Sequence, residues 1–545
     1  MAETPDDPNK DAETDDDKSS SRSMTQRMGL AALILSASIL LSRLLGFLRE
    51  AVIVYKHGAS TATDAYYAAF TLPDLMGYFL AGGTLSITFI PLFSDYVSND
   101  DEEGGWRLFS TILTTMGVLL VAFVIALEFL APHVVPLLFP GFDTAQQIDL
   151  TVAMTRIVIP AQLAFYVGGL LQATLFVREV FWPSAVAPLV YNICIIAGGV
   201  LLDPWLGIMG FSVGALVGAV VGPMLIPMWA ARNEIKFTPH FSLTDPGFKR
   251  FILLSLPLMV GDSLVTVDEW LLRYFCSMLE SGAITWLHSS RKIMLVLFAI
   301  IGQAAGQAAL PYLSRLYHEG KESEMGQMMS RSLQRIAFLA VIAAAGLIVA
   351  AKPMIYLVFQ RGEFSPADAD ATAALLVVFA FGLLAWTAQS LAVRGFYARE
   401  DTLTPMLIGT GVVLVAAPVY WFLFKGYGAM GLAAASATGI SINALATVLV
   451  YRWRKGHLPL APIVKGALRG LIFAAVCGAA AWGVHQWLGS MLEVAVLLEN
   501  ALLLLAMATA FFGAGGLLAV FFRPPELERV LARVRKKLKR RKAKN

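Results

Sequence analysis

The run Gly29–Val54, GLAALILSASILLSRLLGFLREAVIV, decides the fold class of this chain. It exceeds the roughly 20 residues that a helix needs to cross a bilayer, yet it carries Arg43, Arg49 and Glu50. Similar apolar runs fill the sequence, because 57% of its 545 residues are hydrophobic and only 15% are charged, against about 25% charged in soluble domains. This composition excludes a water-soluble enzyme, a disordered chain and a nucleic-acid binder.

Apolar runs of about 20 residues predict an all-α polytopic membrane protein with fourteen transmembrane helices. The connections between the runs leave no room for a soluble domain. The predicted spans are 29–54, 64–93, 107–131, 150–177, 183–202, 206–231, 248–276, 283–313, 331–358, 367–397, 404–424, 429–451, 466–487 and 497–522.

Two short segments of the first half recur in the second half, 220 and 221 residues later. Pro91–Ser94 (PLFS) matches Pro311–Ser314 (PYLS), and Phe176–Glu179 (FVRE) matches Tyr397–Glu400 (YARE). The offset corresponds to six spans, and an even number preserves direction. It therefore predicts two six-helix lobes related by a parallel repeat, plus two C-terminal helices. The alternative is chance similarity between membrane loops.

The distribution of charge predicts the orientation and the domain boundaries. Placing both termini in the cytoplasm leaves only four of the 42 Lys and Arg residues on the far side, so the positive-inside rule favours this orientation; they are Lys56, Lys352, Arg361 and Lys425. We expect a disordered acidic N-terminal tail at 1–27, an N-lobe at 28–235, a C-lobe at 236–455, spans 13 and 14 at 456–522, and a basic cytoplasmic tail at 523–545. The basic tail is expected to lie on anionic phospholipid, and a specific partner is the alternative.

Charged side chains inside spans point to function, because a charge at the bilayer centre costs about 2.5–3.5 kcal/mol on insertion scales. Span 1 places Ser42, Arg43, Gly46, Arg49 and Glu50 on one helical stripe. Further charges lie on the helices that the repeat places around a cleft between the lobes: Asp64 and Asp74 on span 2, Asp268 and Glu269 on span 7, Arg291 and Lys292 on span 8.

These charges predict a net cationic cleft that binds an anion such as a pyrophosphate. Arginine binds phosphate oxygens with a planar fork, and lysine provides a point charge. The predicted substrate-binding residues are Ser42, Arg43, Arg49, Arg291 and Lys292. The predicted gating and ion-pairing residues are Glu50, Asp64, Asp74, Asp268 and Glu269.

Simpler explanations remain open for several of these residues. Arg49 and Glu50 would also be accommodated at the end of span 1 by snorkelling to the interface. Arg291 and Lys292 could form structural ion pairs with the carboxylates of span 7. Asp64 could cap the start of its own helix.

The sequence offers no enzyme chemistry and no metal site. The three cysteines lie in apolar runs without paired spacing, so we interpret them as buried hydrophobic residues. His57 and His288 lack the spacing of metal ligands. We therefore expect no cofactor. We also expect transport to be coupled to the membrane potential or to a monovalent cation.

The motifs around span 1 resemble the lipid II flippase family, MurJ or MviN, of the multidrug/oligosaccharidyl-lipid/polysaccharide exporter superfamily. The resemblance implies the exporter fold, a functional requirement for Arg43, Arg49 and Asp64, and a groove for the polyprenyl tail in the last two helices. The stretches that carry it are Ser42–Glu50 (SRLLGFLRE), Thr63–Tyr66 (TDAY), Leu72–Leu75 (LPDL), Ala81–Ser86 (AGGTLS), Phe396–Arg399 (FYAR) and Asp401–Pro405 (DTLTP).

The chain departs from the family pattern at several positions. Glu50 stands where members usually have aspartate, and Gly77 and Gly82 stand where many members carry a charge. Trp286 is followed by Arg291–Lys292, where members often have Asp-Arg. These changes put the details of headgroup recognition in question.

The sequence therefore predicts a monomeric flippase, a transporter and not an enzyme. It would move lipid II, the undecaprenyl-pyrophosphate-linked disaccharide-peptide, from the inner to the outer leaflet of the bacterial cytoplasmic membrane by alternating access. The alternatives are a flippase for another polyprenyl-linked oligosaccharide, or a drug or cation antiporter of the same superfamily. A membrane glycosyltransferase would need larger loops, and a structural scaffold leaves the intramembrane charges unexplained.

Overall fold

The computed structural model describes residues 38, 40–81, 88–261, 263–489, 491, 496–528 and 532, with side chains at all of these except 78–81, 256–261 and 263–266. Within these ranges the chain is helical and contains no β-strand. The acidic tail at 1–27, Gly82, and most of the basic tail at 523–545 lie outside the described residues.

Twenty α-helices are numbered here in chain order. Two π-helical segments, Val220–Leu225 and Ala299–Gln303, join neighbouring helices. The helices are α1 (40–57), α2 (Thr61–Ala69), α3 (Thr71–Ala81), α4 (Ile90–Ser98), α5 (Glu102–Leu138), α6 (Ala145–Val158), α7 (Ala161–Val177), α8 (Trp182–Leu201), α9 (Asp203–Leu206), α10 (Met209–Ala219), α11 (Ile226–Ala231), α12 (Pro246–Gly261), α13 (Ser263–Cys276), α14 (Ala283–Phe298), α15 (Ala304–His318), α16 (Glu322–Val358), α17 (Pro366–Tyr397), α18 (Leu403–Lys455), α19 (Ala461–Gly489) and α20 (Val496–Phe522).

Ten helical segments of the described chain are long and apolar enough to cross a membrane. One of them, α18, changes direction at Gly428, whose φ of 55° and ψ of −131° are not helical. It therefore contains two of the predicted spans. Three other predicted spans, 29–54, 64–93 and 248–276, include residues outside the described ranges. The structure thus shows an all-α polytopic protein with ten candidate spans.

The described chain forms two compact units, each with its own core. The first unit comprises the residues up to Arg49, Met76–Glu128 and Arg156–Ser255; the second comprises Glu50–Leu75, Phe129–Thr155 and the chain from Leu256 onward. The first core includes the aromatic residues Phe89, Phe93, Trp106, Phe109 and Tyr166. A core of the second unit includes Met325, Met329, Leu333, Phe396 and Tyr451.

Local structure recurs at the spacing of the sequence repeat. Helices α5 and α16 are each 37 residues long. Arg178 pairs with Glu102 at 3.1 Å, and Arg399 pairs with Glu322, also at 3.1 Å. Immediately after these arginines the chain turns at Glu179 and Glu400, both with a φ of 60°. Corresponding positions therefore adopt the same local conformation and form the same ion pair.

Glycine permits the close approach of α8 and α10 in the first unit. A Cβ atom on Gly198 would lie 2.6 Å from the Cα of Gly214. Small residues at such crossings let helix backbones pack together in a membrane, where van der Waals contact and not the hydrophobic effect holds helices to each other.

We expect Gly198→Ala to destabilise the protein by about 1–3 kcal/mol, because the added methyl group would overpack a backbone contact. Thermal unfolding of the purified chain in detergent measures the change. Gly483→Ala is the matched control, since a Cβ there meets nothing within 4 Å. Equal melting temperatures for the two variants would contradict this description of the packing.

Candidate functional site

The predicted cations of α1 belong to the first unit. Arg49 Nη1 donates a hydrogen bond to Oδ1 of Asn192 at 3.3 Å. The Asn192 amide in turn donates to the carbonyl oxygen of Pro188 at 2.9 Å, which fixes its orientation. Arg43 is exposed and Ser42 is half-buried. Asn192 is not among the predicted site residues, because an asparagine in an apolar helix does not indicate which side chain it will bind.

Glu50 begins a network of buried ionisable groups in the second unit. Its carboxylate is only 2% exposed and accepts a hydrogen bond from the Tyr67 hydroxyl at 2.8 Å. His288 Nε2 lies 3.4 Å from the same oxygen, and the Tyr67 and His288 rings stack with centroids 4.0 Å apart. The snorkelling alternative is therefore wrong for Glu50.

Asp64 caps a helix other than its own. Its carboxylate accepts from the backbone N–H of Gly282 at 2.7 Å, and from the N–H and hydroxyl of Thr285 at 2.9 and 2.6 Å. These groups form the N-terminus of α14, where unpaired N–H groups and the helix dipole favour a negative charge. At the start of α2 the capping side chain is Ser60, which accepts from the N–H of Thr63. The own-helix cap considered for Asp64 is thus wrong.

Arg291 forms a buried ion pair with Asp268, at 2.8 Å between Nη1 and Oδ2. Both side chains are at most 10% exposed. Asp268 also accepts hydrogen bonds from the hydroxyls of Tyr420 and Ser436. The Arg291 guanidinium lies over the Trp386 ring at 5.5 Å. The ion-pair alternative for Arg291 is therefore what the structure shows.

Arg273 forms a second inter-helix contact that the predicted site did not include. Its Nη1 donates to Thr71 Oγ1 at 2.9 Å and to Asp74 Oδ2 at 3.3 Å. The Arg273 side chain is only 10% exposed, whereas that of Asp74 is 46% exposed. Asp74 thus forms an ion pair with Arg273.

A cavity of about 30 Å³, enough for a water molecule, lies within this network, between α13 and α14. Glu269, Arg273, His288 and Arg291 line it together with apolar side chains and a cysteine. The half-buried Lys292 interacts electrostatically with Glu269 and His288. The cavity therefore borders both carboxylate and guanidinium groups.

The predicted excess of positive charge includes Arg43 and Arg49 of the first unit, and the buried network of the second unit has its own charge balance. Carboxylates outnumber permanent cations there, so an anion that enters must compete with carboxylates already paired to the arginines. The network comprises the acids Glu50, Asp64, Asp74, Asp268 and Glu269, the cations Arg273, Arg291 and Lys292, and His288. Among the described residues, no group of three or more His, Cys, Asp or Glu side chains is arranged to hold a metal ion.

Comparison with known proteins shows the family of this chain. The sequence profile described as "Lipid II flippase MurJ" matches residues 53–503. A relative from Rhizobium meliloti (strain 1021), "Probable lipid II flippase MurJ", is 29% identical over 494 residues, which cover 87% of this chain and 92% of the relative. A relative from Burkholderia cenocepacia, "Lipid II flippase MurJ", is 27% identical over 79% of this chain and 84% of its own length.

Solved structures show the same fold. A structure of "Lipid II flippase MurJ, inward closed conformation" superposes with a TM-score of 0.71 at 21% identity, covering 88% of this chain and 99% of that one. An inward-facing multidrug resistance MATE family transporter of the MOP superfamily gives a TM-score of 0.65 at 15% identity over 78% of this chain and 98% of that one. Because the sequence profile spans most of the chain, this protein belongs to the MurJ lipid II flippase family, a family of membrane transporters.

Proposed function

We propose that this chain moves lipid II from the inner to the outer leaflet of the bacterial cytoplasmic membrane by alternating access. The observation that carries the proposal is the buried network of Arg291, Asp268 and Arg273 in a chain of this family. Desolvated guanidinium groups have a high cost, and a diphosphate is a ligand that can offset it.

We also propose fourteen spans, with both termini in the cytoplasm and two six-helix lobes followed by α19 and α20. The matched lengths of α5 and α16, and their matched ion pairs, support the repeat. So does the contact between the hydroxyls of Thr61 and Ser281, 2.8 Å apart, since these residues are separated by 220 positions. Two equivalent residues meet where a two-fold axis passes between them.

In the proposed mechanism, the diphosphate exchanges partners with internal carboxylates. Arg291 is held by Asp268 in this structure, and the substrate would replace that carboxylate. Ser42, Arg43, Arg49 and Lys292 are proposed to complete the binding of the headgroup. A substrate can shift the equilibrium between two conformations of a transporter only by binding them with different affinities. The exchange of partners at Arg291 would provide that difference in affinity.

Asp64 is proposed to act as a gate between α2 and α14. Its three hydrogen bonds to the first turn of α14 hold the two helices together. Separation of the helices would leave those N–H groups unpaired, at a cost of about 0.5–2 kcal/mol for a lost cap. That cost is small enough for substrate binding to overcome in each cycle.

A cation-coupled antiporter is the second candidate, because the described network holds more carboxylates than permanent cations and the fold is shared with a MATE transporter. Such a transporter would move cationic drugs and would not move a diphosphate-linked lipid. A reconstituted flipping assay separates the two functions.

We expect Arg49→Ala to fail to rescue a strain depleted of its own lipid II flippase. Loss of one charge-assisted contact costs about 1.5–3 kcal/mol, which corresponds to about a ten- to hundredfold lower rate. Growth and membrane expression are measured together. Arg331→Ala, at an exposed position of α16, is the matched control. Equal rescue by the two variants would contradict a substrate-binding role for Arg49.

A double-mutant cycle on Asp268 and Arg291 separates structural from transport roles. Each single change, Asp268→Asn or Arg291→Gln, should destabilise the protein by about 3–5 kcal/mol, because it leaves a buried charge unpaired. The double variant should recover most of the stability, which thermal unfolding measures. It should still fail to flip lipid II in proteoliposomes. Wild-type flipping by a stable double variant would show that Arg291 has only a structural role.

A further inference from the structure

A second, larger pocket in the second unit is lined by none of the arginines and shares Asp64 with the buried network. Its volume is about 530 Å³, within the roughly 300–1,000 Å³ of ligand-binding pockets. Three segments form its wall: the start of α2, the connection between α5 and α6 with the first turns of α6, and the connection between α13 and α14. All three segments lie on the outer side of the membrane in the proposed orientation.

The lining of this outer pocket is polar and acidic. Its described side chains include no lysine, arginine or histidine. Asp143 and Glu280 are exposed, and neither carboxylate forms a hydrogen bond or an ion pair within the described part of the chain. The polar lining residues are Thr61, Asp64, Asp143, Thr144, Gln146, Gln147, Ser277, Glu280 and Ser281.

The wall of the outer pocket is held in place by close backbone packing. A Cβ on Gly141 would lie 2.2 Å from the carbonyl oxygen of Ser277 and 2.4 Å from the Cα of Met278. The α5–α6 connection can therefore approach the α13–α14 connection only because residue 141 is glycine. Thr61, at the start of α2, is joined to Ser281 of the α13–α14 connection by their hydroxyl contact. These contacts hold the polar side chains around a preformed space.

We propose that the outer pocket binds the sugar–peptide part of the headgroup after it reaches the outer side. This inference rests on the proposed function. Glutamine and hydroxyl side chains can hydrogen-bond to the hydroxyl and amide groups of that part, and Asp143 and Glu280 can pair with a free amine on its peptide. The same carboxylates repel a diphosphate, since like charges brought together at a binding surface cost free energy. The outer pocket thus binds the sugar–peptide end of the headgroup, and the arginines bind the diphosphate end.

Binding of a soluble probe to the full-length chain in detergent tests this proposal. The probe is the disaccharide-peptide without diphosphate or prenyl chain, titrated by calorimetry, in one form with a free peptide amine and in another with that amine acetylated. We expect the wild type to bind the free-amine form. We expect acetylation of the probe, or the Asp143→Asn/Glu280→Gln change, to weaken binding about fivefold, in line with modest exposed ion pairs.

Glu363→Gln is the matched control, because Glu363 is an exposed acid in the α16–α17 connection that does not line the pocket. It should bind the probe as the wild type does. No binding by the wild type at millimolar probe, or equal binding by the double variant, would overturn the proposal. Flipping of lipid II by the same wild-type preparation is measured in parallel. Flipping without probe binding refutes only the outer pocket, and absence of flipping refutes the proposed function itself.

Discussion

The ion pair between Arg291 and Asp268 is the interaction on which the structure of the second unit depends. The guanidinium and the carboxylate are both removed from solvent, at 2.8 Å from each other. Neither charge would be stable alone at this depth, so each fixes the position of the other. The hydroxyls of Tyr420 and Ser436 satisfy the carboxylate and tie α18 to α13. Such a pair suits a transporter, because Arg291 can bind either Asp268 or the substrate, and the two states can have similar free energies.

Other ionisable groups of the second unit also make contacts between helices distant in sequence. Asp64 joins α2 to the N-terminus of α14, Arg273 joins α13 to α3, and Glu50 joins α1 to α14 through His288. Each contact orders a helix interface that apolar side chains alone would leave free to slide. The charges that make insertion costly therefore also determine which surfaces meet.

The sequence predicted the class of fold and the positions of many elements, because apolar length and the Arg-Glu repeat are local signals. The turns at Glu179 and Glu400 repeat in the structure as they do in the sequence. Partner choice was not predictable in the same way. Asp64 was considered a cap for its own helix, and its true partner lies 218 to 221 residues away. Pairing of that kind depends on helix packing, which a single sequence does not encode in any local pattern.

The expected positive excess includes Arg43 and Arg49 of the first unit and stays a prediction. Counting charges along spans does not show which side chains pair. In the second unit Asp74 and Asp268 pair with arginines, whereas Glu50 and Asp64 contact other groups. Arg273 is a further example, because only its contact with Thr71 and Asp74 reveals its place in the site.

The most direct test of this account is a structure of the chain with lipid II bound. We expect the diphosphate oxygens within about 3 Å of the Arg291 guanidinium, at the distance of a charge-assisted hydrogen bond, with the Asp268 carboxylate displaced from it. A bound diphosphate that lies elsewhere, with the Arg291–Asp268 pair intact, would contradict the exchange of partners.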